Sequence, residues 1–101
     1  MHALEQEEKY KQEVAVCIEF LNQQKPTKKI NKKLNSYHIK HYVEDWHEKT
    51  FGCHRYISGD AVIEAFARLE IPYEMCGINA NGAIKLIKEK KKVDYTYISN
   101  F

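Results

Sequence analysis

Two stretches of sequence decide the fold: residues 36–49 (SYHIKHYVEDWHEK) and residues 56–70 (YISGDAVIEAFARLE). At about 100° per residue, each stretch places its apolar side chains on one stripe of a helix. The stripes consist of Ile39, Tyr42, Val43 and Trp46 in the first stretch and of Val62, Ala65, Phe66 and Leu69 in the second. Ser36 and Ser58 stand where N-cap residues are expected. The pattern therefore predicts helices at about residues 36–49 and 59–70 with these faces turned inward, and with Lys40, His41, Glu44, Asp45 and His47 turned away from the core.

A further helix is predicted before these two, at about residues 4–24. Its apolar residues recur at the spacing of one helix face, namely Tyr10, Val14, Cys17, Ile18 and Leu21. Pro26 disfavours helical geometry at Lys25, so the helix is expected to end before it. Residues 25–35 (KPTKKINKKLN) then read as a lysine-rich, flexible linker that contacts the core through Ile30 and Leu34.

After Pro72 the pattern changes from helical to β-type. Asn81-Gly82 favours a type I′ turn, because both residue types tolerate positive φ angles, and this predicts a hairpin that joins strands at about residues 73–78 and 83–88. Alternating residues predict a third strand at about residues 93–98. We therefore expect an α+β fold in which a three-helix unit is followed by a small antiparallel β-hairpin or three-stranded sheet, in one domain comprising residues 1–101.

The composition favours a soluble, cytoplasmic globular protein. Hydrophobic residues make up 44% of the 101 residues, and no apolar run approaches the roughly 20 residues that a membrane-spanning helix needs. The first residues lack the basic and apolar segments of a secretion signal. The three cysteines lack a Cys-x-x-Cys pair, so reduced thiols in the core or at its boundary are expected.

Charge is unevenly distributed along the chain, although the net charge is only +2. Five lysines stand within residues 25–33, and five more, with two acidic residues, within residues 85–101. The other two segments, residues 1–24 and 34–84, each carry a net charge of −3. If the fold brings the two basic segments together, they form a cationic surface for the phosphates of DNA or RNA. The candidate binding residues are Lys28, Lys29, Lys32, Lys33, Lys88, Lys90, Lys91 and Lys92, and the alternative is that these lysines only solvate a linker and a strand edge.

Three helices followed by a hairpin also suggest a winged helix that would read DNA with residues 58–70. The exposed charges of that segment argue against this arrangement, because Asp60, Glu64 and Glu70 outnumber Arg68. Contacts through the lysine segments would have little sequence specificity.

Metal binding and catalysis have weaker support in the sequence. His38, His41 and Asp45 share one side of the second helix, near Cys53-His54, but their spacing matches no structural zinc signature. Glu44 and His47 can form an acid/base pair, yet no nucleophile or oxyanion site accompanies them. Lys40 and Glu44 are expected to form an ion pair one helical turn apart. We therefore assign no catalytic residue, metal or cofactor, and expect a protein that is not an enzyme.

Aromatic residues are expected mostly in the core, since a small domain has few other large side chains to fill its interior. Those near the helical unit are Tyr37, Tyr42, Trp46, Phe51, Tyr56 and Tyr73. Tyr95 and Tyr97 on the predicted last strand would, if exposed, suggest a partner surface or a homodimer formed through that strand.

Part of the chain resembles a group of small, largely uncharacterised bacterial proteins associated with phages and plasmids. These proteins carry a Ser-Tyr-x-Leu-Lys-His-x-x-Glu helix, followed by Tyr-(Ile/Val)-Ser-Asn-Gly and an alanine-rich helix. The matching residues are Ser36, Tyr37, Ile39, Lys40, His41, Glu44, Tyr56, Ile57, Ser58, Ile63 and Ala65. Gly59-Asp60 stands where the group has Asn-Gly. The resemblance covers about residues 30–87 and implies an accessory protein of a mobile element.

Two functions follow as hypotheses. The first is non-enzymatic binding of a polyanionic partner, most simply DNA or RNA, through the lysine-rich segments. The second is a protein-binding modulator, such as a phage-type inhibitor of a host defence complex, in which the same lysines mimic or cover an electrostatic site and the tyrosines anchor the contact.

Overall fold

The computed structural model describes the backbone of residues 2–87 and the side chains of residues 6–87. Within that part of the chain, the helices are α1 (His2–Leu21), α2 (Ser36–Phe51) and α3 (Gly59–Arg68). The strands are β1 (Lys25–Pro26), β2 (Tyr73–Cys76), β3 (Asn79–Gly82) and β4 (Ile84–Lys85). Antiparallel pairing joins β1 to β4 and β2 to β3. The α+β fold is confirmed, and the strand predicted at residues 93–98 lies outside the described residues.

The core forms where the three helices pack against one another and against β3. Its largest fully buried side chains include Phe66 of α3, Ile39 of α2 and Ile57 of the connection between them. Val14, Cys17 and Leu21 confirm the inward face predicted for α1. Cys17 is completely buried, and this burial, with a smaller contribution from Glu13, raises the pKa of its thiol to about 12. The helical periodicity therefore places the core correctly.

The face of α2 differs from the prediction at Tyr42 and His47, as well as at Lys40 and Glu44, whose side chains are largely covered. Tyr42 is 38% exposed, whereas His47 is buried with only 7% of its surface exposed. The reason is a local one: the His47 ring turns back to the loop after the helix, where its Nδ1 lies 3.1 Å from the carbonyl oxygen of Cys53. Trp46 completes the inner face by packing edge-on against Phe20 of α1, with ring centroids 5.6 Å apart.

The caps of α2 and α3 show one confirmed prediction and one wrong one. Ser58 caps α3, because its Oγ accepts a hydrogen bond from the backbone N–H of Ala61 at 3.2 Å. Asn35, not Ser36, caps α2, since Asn35 Oδ1 accepts from the N–H of His38 at 3.0 Å. Ser36 is buried instead, and its Oγ accepts from the N–H of Ala80 at 3.0 Å. Ser36 thus joins the start of α2 to β3.

The hairpin turn lies at Gly77-Ile78, so the predicted turn at Asn81-Gly82 is wrong. Cys76 pairs with Asn79, and Gly77 has a φ of 68°, which suits the first central position of a two-residue turn. Gly82 lies within β3 opposite Tyr73, and the predicted strand over residues 83–88 contributes only β4, which pairs with β1. A Cβ atom on Gly82 would stand 2.8 Å from Cζ of Phe66. The glycine is required for close packing and not for a turn.

Helix α3 ends at Arg68, two residues earlier than predicted. The N–H of Ile71 donates to the carbonyl of Phe66 at 2.8 Å, and the N–H of Glu70 donates to that of Ala67 at 3.1 Å. These two bonds form a Schellman motif, in which Glu70 takes the left-handed conformation with φ 58°. The motif turns the chain towards Pro72 and β2.

Candidate nucleic-acid interface

The segment from Lys25 to Leu34, here called the lysine loop, is tied to the strands and is not the flexible linker that the sequence predicts. The N–H of Thr27 donates to the carbonyl of Ala83, and the N–H of Asn31 to that of Gly82, both at 3.0 Å. From the other side, the side-chain amide of Asn81 donates to the carbonyls of Asn31 and Leu34, both at 3.1 Å. Leu34 packs against the core as expected. The loop therefore has a defined place on the surface, beside residues 82–84.

Strands β1 and β4 bring Lys25, in the first basic segment, next to Lys85, the first residue of the second. In their antiparallel ladder, Lys25 lies directly opposite Lys85, and Pro26 lies opposite Ile84. The side chain of Gln24 extends the contact, since its Oε1 accepts a hydrogen bond from the N–H of Ile87 at 2.8 Å. Residues directly opposite in such a pair point to the same face, with Cβ atoms about 5 Å apart. Two lysines separated by 60 positions in the sequence thus share one face.

The lysines described on the loop and on β4 are exposed and form no ion pair within the described chain. The basic surface is defined by Lys25, Lys28, Lys29, Lys32, Lys33 and Lys85, all of which are exposed. Among residues 6–87, no carboxylate forms an ion pair with any of the six, whereas α2 and α3 contain several such pairs. Lys88, Lys90, Lys91 and Lys92 lie outside the described residues. The basic surface is therefore free to meet an anionic partner, as far as the described chain is concerned.

Helix α3 is unsuited to reading DNA, in agreement with its sequence. Its one arginine is engaged, because Arg68 Nη2 lies 2.6 Å from Oε2 of Glu64. Glu64 also accepts a hydrogen bond from the Tyr10 hydroxyl at 2.8 Å. The hydrogen bond from Arg68, followed by that from Tyr10, lowers the pKa of Glu64, while burial and then Glu64 raise the pKa of Tyr10 to about 12. These groups join α3 to α1 and leave no free cation on α3.

A second cluster, which we call the tyrosine–lysine cluster, consists of Tyr37, Lys40 and Tyr56. The Lys40 ammonium nitrogen lies 5.8 Å from the ring centroid of Tyr37 and 5.0 Å from that of Tyr56. The same nitrogen forms the predicted ion pair with Glu44, at 3.5 Å. Only 12% of the side-chain surface is exposed in both Lys40 and Glu44, although both were expected to point away from the core. No sequence pattern indicates this cluster, since Tyr56 lies 16 positions from Lys40 and only the fold brings them together.

Glu44 holds the cluster in place. Its Oε2 accepts a hydrogen bond from the N–H of Ile57, next to Tyr56, at 3.0 Å. Its Oε1 lies 3.4 Å from Nδ1 of His41, whose ring packs edge-on against Tyr37 at a centroid distance of 4.8 Å. Glu44 therefore pairs with His41 and not with His47, and the acid/base pair considered from the sequence does not form.

The aromatic residues are more exposed than the sequence predicts. Among those expected in the core, the exposed ones are Tyr37 (52%), Tyr42 (38%), Phe51 (55%), Tyr56 (60%) and Tyr73 (40%). Small residues explain the difference, because Ala61, Ala65, Ala80 and Ala83 let the elements approach closely and leave little room for large rings. Each of these rings therefore lies partly in solvent and not in the core.

The residues considered as metal ligands and rejected from the sequence do not come together within the described chain. No group of three or more His, Cys, Asp or Glu side chains that could hold a metal ion occurs within the described chain. Asp45 pairs with Lys49 at 3.3 Å, and His54 lies 3.7 Å from Glu48. Cys53 and Cys76 are exposed and unbridged, contrary to the expectation that they lie in the core or at its boundary.

Comparison of the chain with protein-family models, curated proteins and solved structures finds no match. Over residues 2–87, no helix is both long and apolar enough to cross a bilayer. The basic surface and the tyrosine–lysine cluster are the two features of the described chain that bear on function.

Proposed function

We propose that the protein binds a polyanionic partner, DNA or RNA, through the basic surface. The observation that carries this proposal is the ladder position of Lys25 directly opposite Lys85. Like charges at opposed positions of an antiparallel pair destabilise the sheet, by up to about 1 kcal/mol. An arrangement that costs stability and concentrates positive charge is explained by an anionic partner that relieves the repulsion.

The surroundings of this pair support the same function. Lys28, Lys29, Lys32 and Lys33 stand further along the lysine loop, which is hydrogen-bonded to residues 82–84 and so needs little ordering when a partner binds. Each phosphate that such a lysine neutralises releases counterions and steepens the salt dependence of binding. Lysine contacts with phosphates carry no sequence information, so we expect weak sequence specificity.

Charge reversal on the lysine loop tests the proposal. In Lys28→Glu/Lys29→Glu and in Lys32→Glu/Lys33→Glu, we expect at least a tenfold loss of affinity for labelled DNA and RNA, measured by fluorescence anisotropy at low salt. The matched control is Lys9→Glu/Lys11→Glu on α1, where both lysines are exposed and the net charge changes equally. Equal losses in all three variants, or no binding of any duplex or single strand by the wild-type protein, would refute the proposal.

Charge reversal at Lys85 of β4 gives a second test of the proposal. It should raise the stability of the fold and lower the affinity for nucleic acid. Lys85→Glu replaces the repulsive pair with an attractive one, so it should raise the free energy of unfolding by about 0.5 kcal/mol. The same change should weaken nucleic-acid binding several-fold, because it removes a phosphate contact. Chemical denaturation and anisotropy measure the two effects. If affinity is unchanged while stability rises, the strand pair has no part in binding.

The proposed function also includes the lysines after residue 87, a role in a mobile element and a cellular compartment. Lys88, Lys90, Lys91 and Lys92 stay predicted members of the binding surface. The resemblance to phage- and plasmid-associated proteins supports a role as a non-enzymatic accessory protein of a mobile element. The three unbridged cysteines suit the reducing cytoplasm, where its nucleic-acid partner would be found.

A protein-binding modulator is the second candidate, and the exposed hairpin favours it. All four residues of β2 are exposed, and three large apolar side chains lie on the hairpin: Tyr73 (40%), Met75 (51%) and Ile78 (85%). Tyrosine and methionine are enriched in protein interfaces, and an outer strand can pair with another chain. A host defence complex is the kind of partner that we propose for the hairpin. A second copy of the chain, paired through the predicted C-terminal strand, stays an alternative partner.

Nuclease treatment separates the two candidates. A partner recovered from host lysate after nuclease treatment, and lost in Ile78→Glu, would favour the protein-binding function. Recovery that depends on intact nucleic acid and persists in Ile78→Glu would favour the basic surface.

A further inference from the structure

We infer that the tyrosine–lysine cluster stacks on unpaired nucleobases, so that the partner of the basic surface is single-stranded nucleic acid. This inference rests on the proposed function and specifies the form of its ligand. The inference is carried by the position of Lys40 between the half-exposed rings of Tyr37 and Tyr56. Tyr37 and Lys40 follow directly after the lysine loop, and Tyr56 comes from a later part of the chain.

The two rings are exposed on either side of a lysine that is itself largely covered. Tyr37 and Tyr56 are 52% and 60% exposed, whereas Lys40 beneath them retains only 12% of its side-chain exposure. Glu44 joins the two sides, since it contacts Lys40 at 3.5 Å and accepts the N–H of Ile57 at 3.0 Å. A folding role explains the contacts of the partly buried Glu44, but it does not explain why two large rings stay in water. Pre-ordered rings lose little entropy when a flat ligand packs on them.

The chemistry of the cluster matches a nucleobase attached to a phosphate backbone. Aromatic side chains stack on bases of any identity, and nearby cations hold the backbone. Lys33 of the basic surface precedes Tyr37 by four residues, which places their Cα atoms at most about 14 Å apart. A strand whose phosphates contact the lysine loop can therefore reach the tyrosines with its bases.

The choice of single strand follows from access. In a duplex, the faces of the bases are covered by their neighbours, and a surface tyrosine can stack only on a base that is unpaired. The basic surface alone would bind duplex and single strand through phosphates. The tyrosines would add affinity for the single strand only.

The test compares a 20-nucleotide single strand, as DNA and as RNA, with the duplex of the same length. For Tyr37→Leu and Tyr56→Leu, we expect about tenfold weaker binding of the single strands in fluorescence anisotropy and unchanged binding of the duplex. Tyr37→Phe and Tyr56→Phe are the matched controls and should bind as the wild type does, because stacking needs the ring and not the hydroxyl. Thermal melting checks that all four variants fold.

The outcomes separate this inference from the proposed function. If the leucine variants bind single strands normally while the lysine variants lose binding, the basic surface stands and base stacking is refuted. Equal losses for duplex and single strand in the leucine variants also refute stacking. If the wild-type protein binds neither form at low salt, both proposals fail.

Discussion

At the scale of single residues, Gly82 shows how a residue pair typical of a turn can serve another purpose. Asn81-Gly82 lies inside β3, where the glycine admits the ring of Phe66 and the asparagine holds the lysine loop. The backbone of Gly82 has no positive φ angle, so its lack of a side chain is what matters. The conformational freedom of glycine is used instead at Gly77.

Gly82→Ala should therefore destabilise the fold. The new methyl group would stand 2.8 Å from Cζ and 3.0 Å from Cε1 of Phe66, a fully buried ring with little room to move. Overpacking of this kind costs about 1–3 kcal/mol. Chemical denaturation measures the loss, and Gly59→Ala is the control, since a Cβ there meets no atom within 4 Å. Similar stability in the two variants would contradict this account of Gly82.

At the scale of elements, α3 is joined to α1 by a short polar network. Glu64 accepts hydrogen bonds from Arg68 on its own helix and from Tyr10 on α1. Both bonds favour the charged carboxylate, so the pKa of Glu64 is lower in the folded than in the unfolded chain. The stability that this provides is complete above the unfolded-state pKa and is lost as the pH falls through the folded-state value.

The pH dependence of a Glu64→Gln variant tests this network. The variant should melt below the wild type at about pH 7, and the difference should shrink as the pH falls below the unfolded-state pKa and through the lowered folded-state pKa of Glu64. Asp45→Asn removes the Asp45–Lys49 pair, which has the same spacing but leaves each side chain 63% exposed. This control should change melting little over the same pH range. A Glu64→Gln deficit that is independent of pH would show that charge is not what Glu64 contributes.

The elements also show how far sequence reasoning extends. Helix positions follow from local periodicity, and Ile39, Val62 and Phe66 are buried as predicted. The register of the hairpin does not follow from local periodicity. It depends on the contact between Gly82 and Phe66, two residues that only the fold brings together. The same limit applies to the site. The exposure of the lysines follows from their charge, but the meeting of Lys25 with Lys85, and of Lys40 with Tyr56, depends on contacts between distant segments.

At the scale of the whole molecule, Asn81 connects the hairpin to the lysine loop. Its amide donates to the carbonyls of Asn31 and Leu34, at the two ends of the stretch that carries Lys32 and Lys33. An isolated bridge between Asn35 and Asn81 strengthens the same connection. The position of the loop is thus determined by a strand far along the sequence.

Asn81→Ala should weaken nucleic-acid binding without removing any charge. The loop would lose two hydrogen bonds and would have to be ordered by the ligand, which should raise the Kd about threefold to tenfold. Asn79→Ala is the matched control, because the Asn79 side chain makes no hydrogen bond within residues 6–87. Anisotropy measures both variants. Unchanged affinity in Asn81→Ala would mean that the hairpin does not order the loop.

The burial of Cys17 has a practical consequence for following this molecule as it opens. An alkylating reagent added to the native protein can reach Cys53 and Cys76, whereas Cys17 has neither solvent access nor an appreciable thiolate fraction. Alkylation of Cys17 therefore requires the helices to separate. Counting labels per molecule over time by mass spectrometry would report how readily the wild-type chain opens, with no probe introduced.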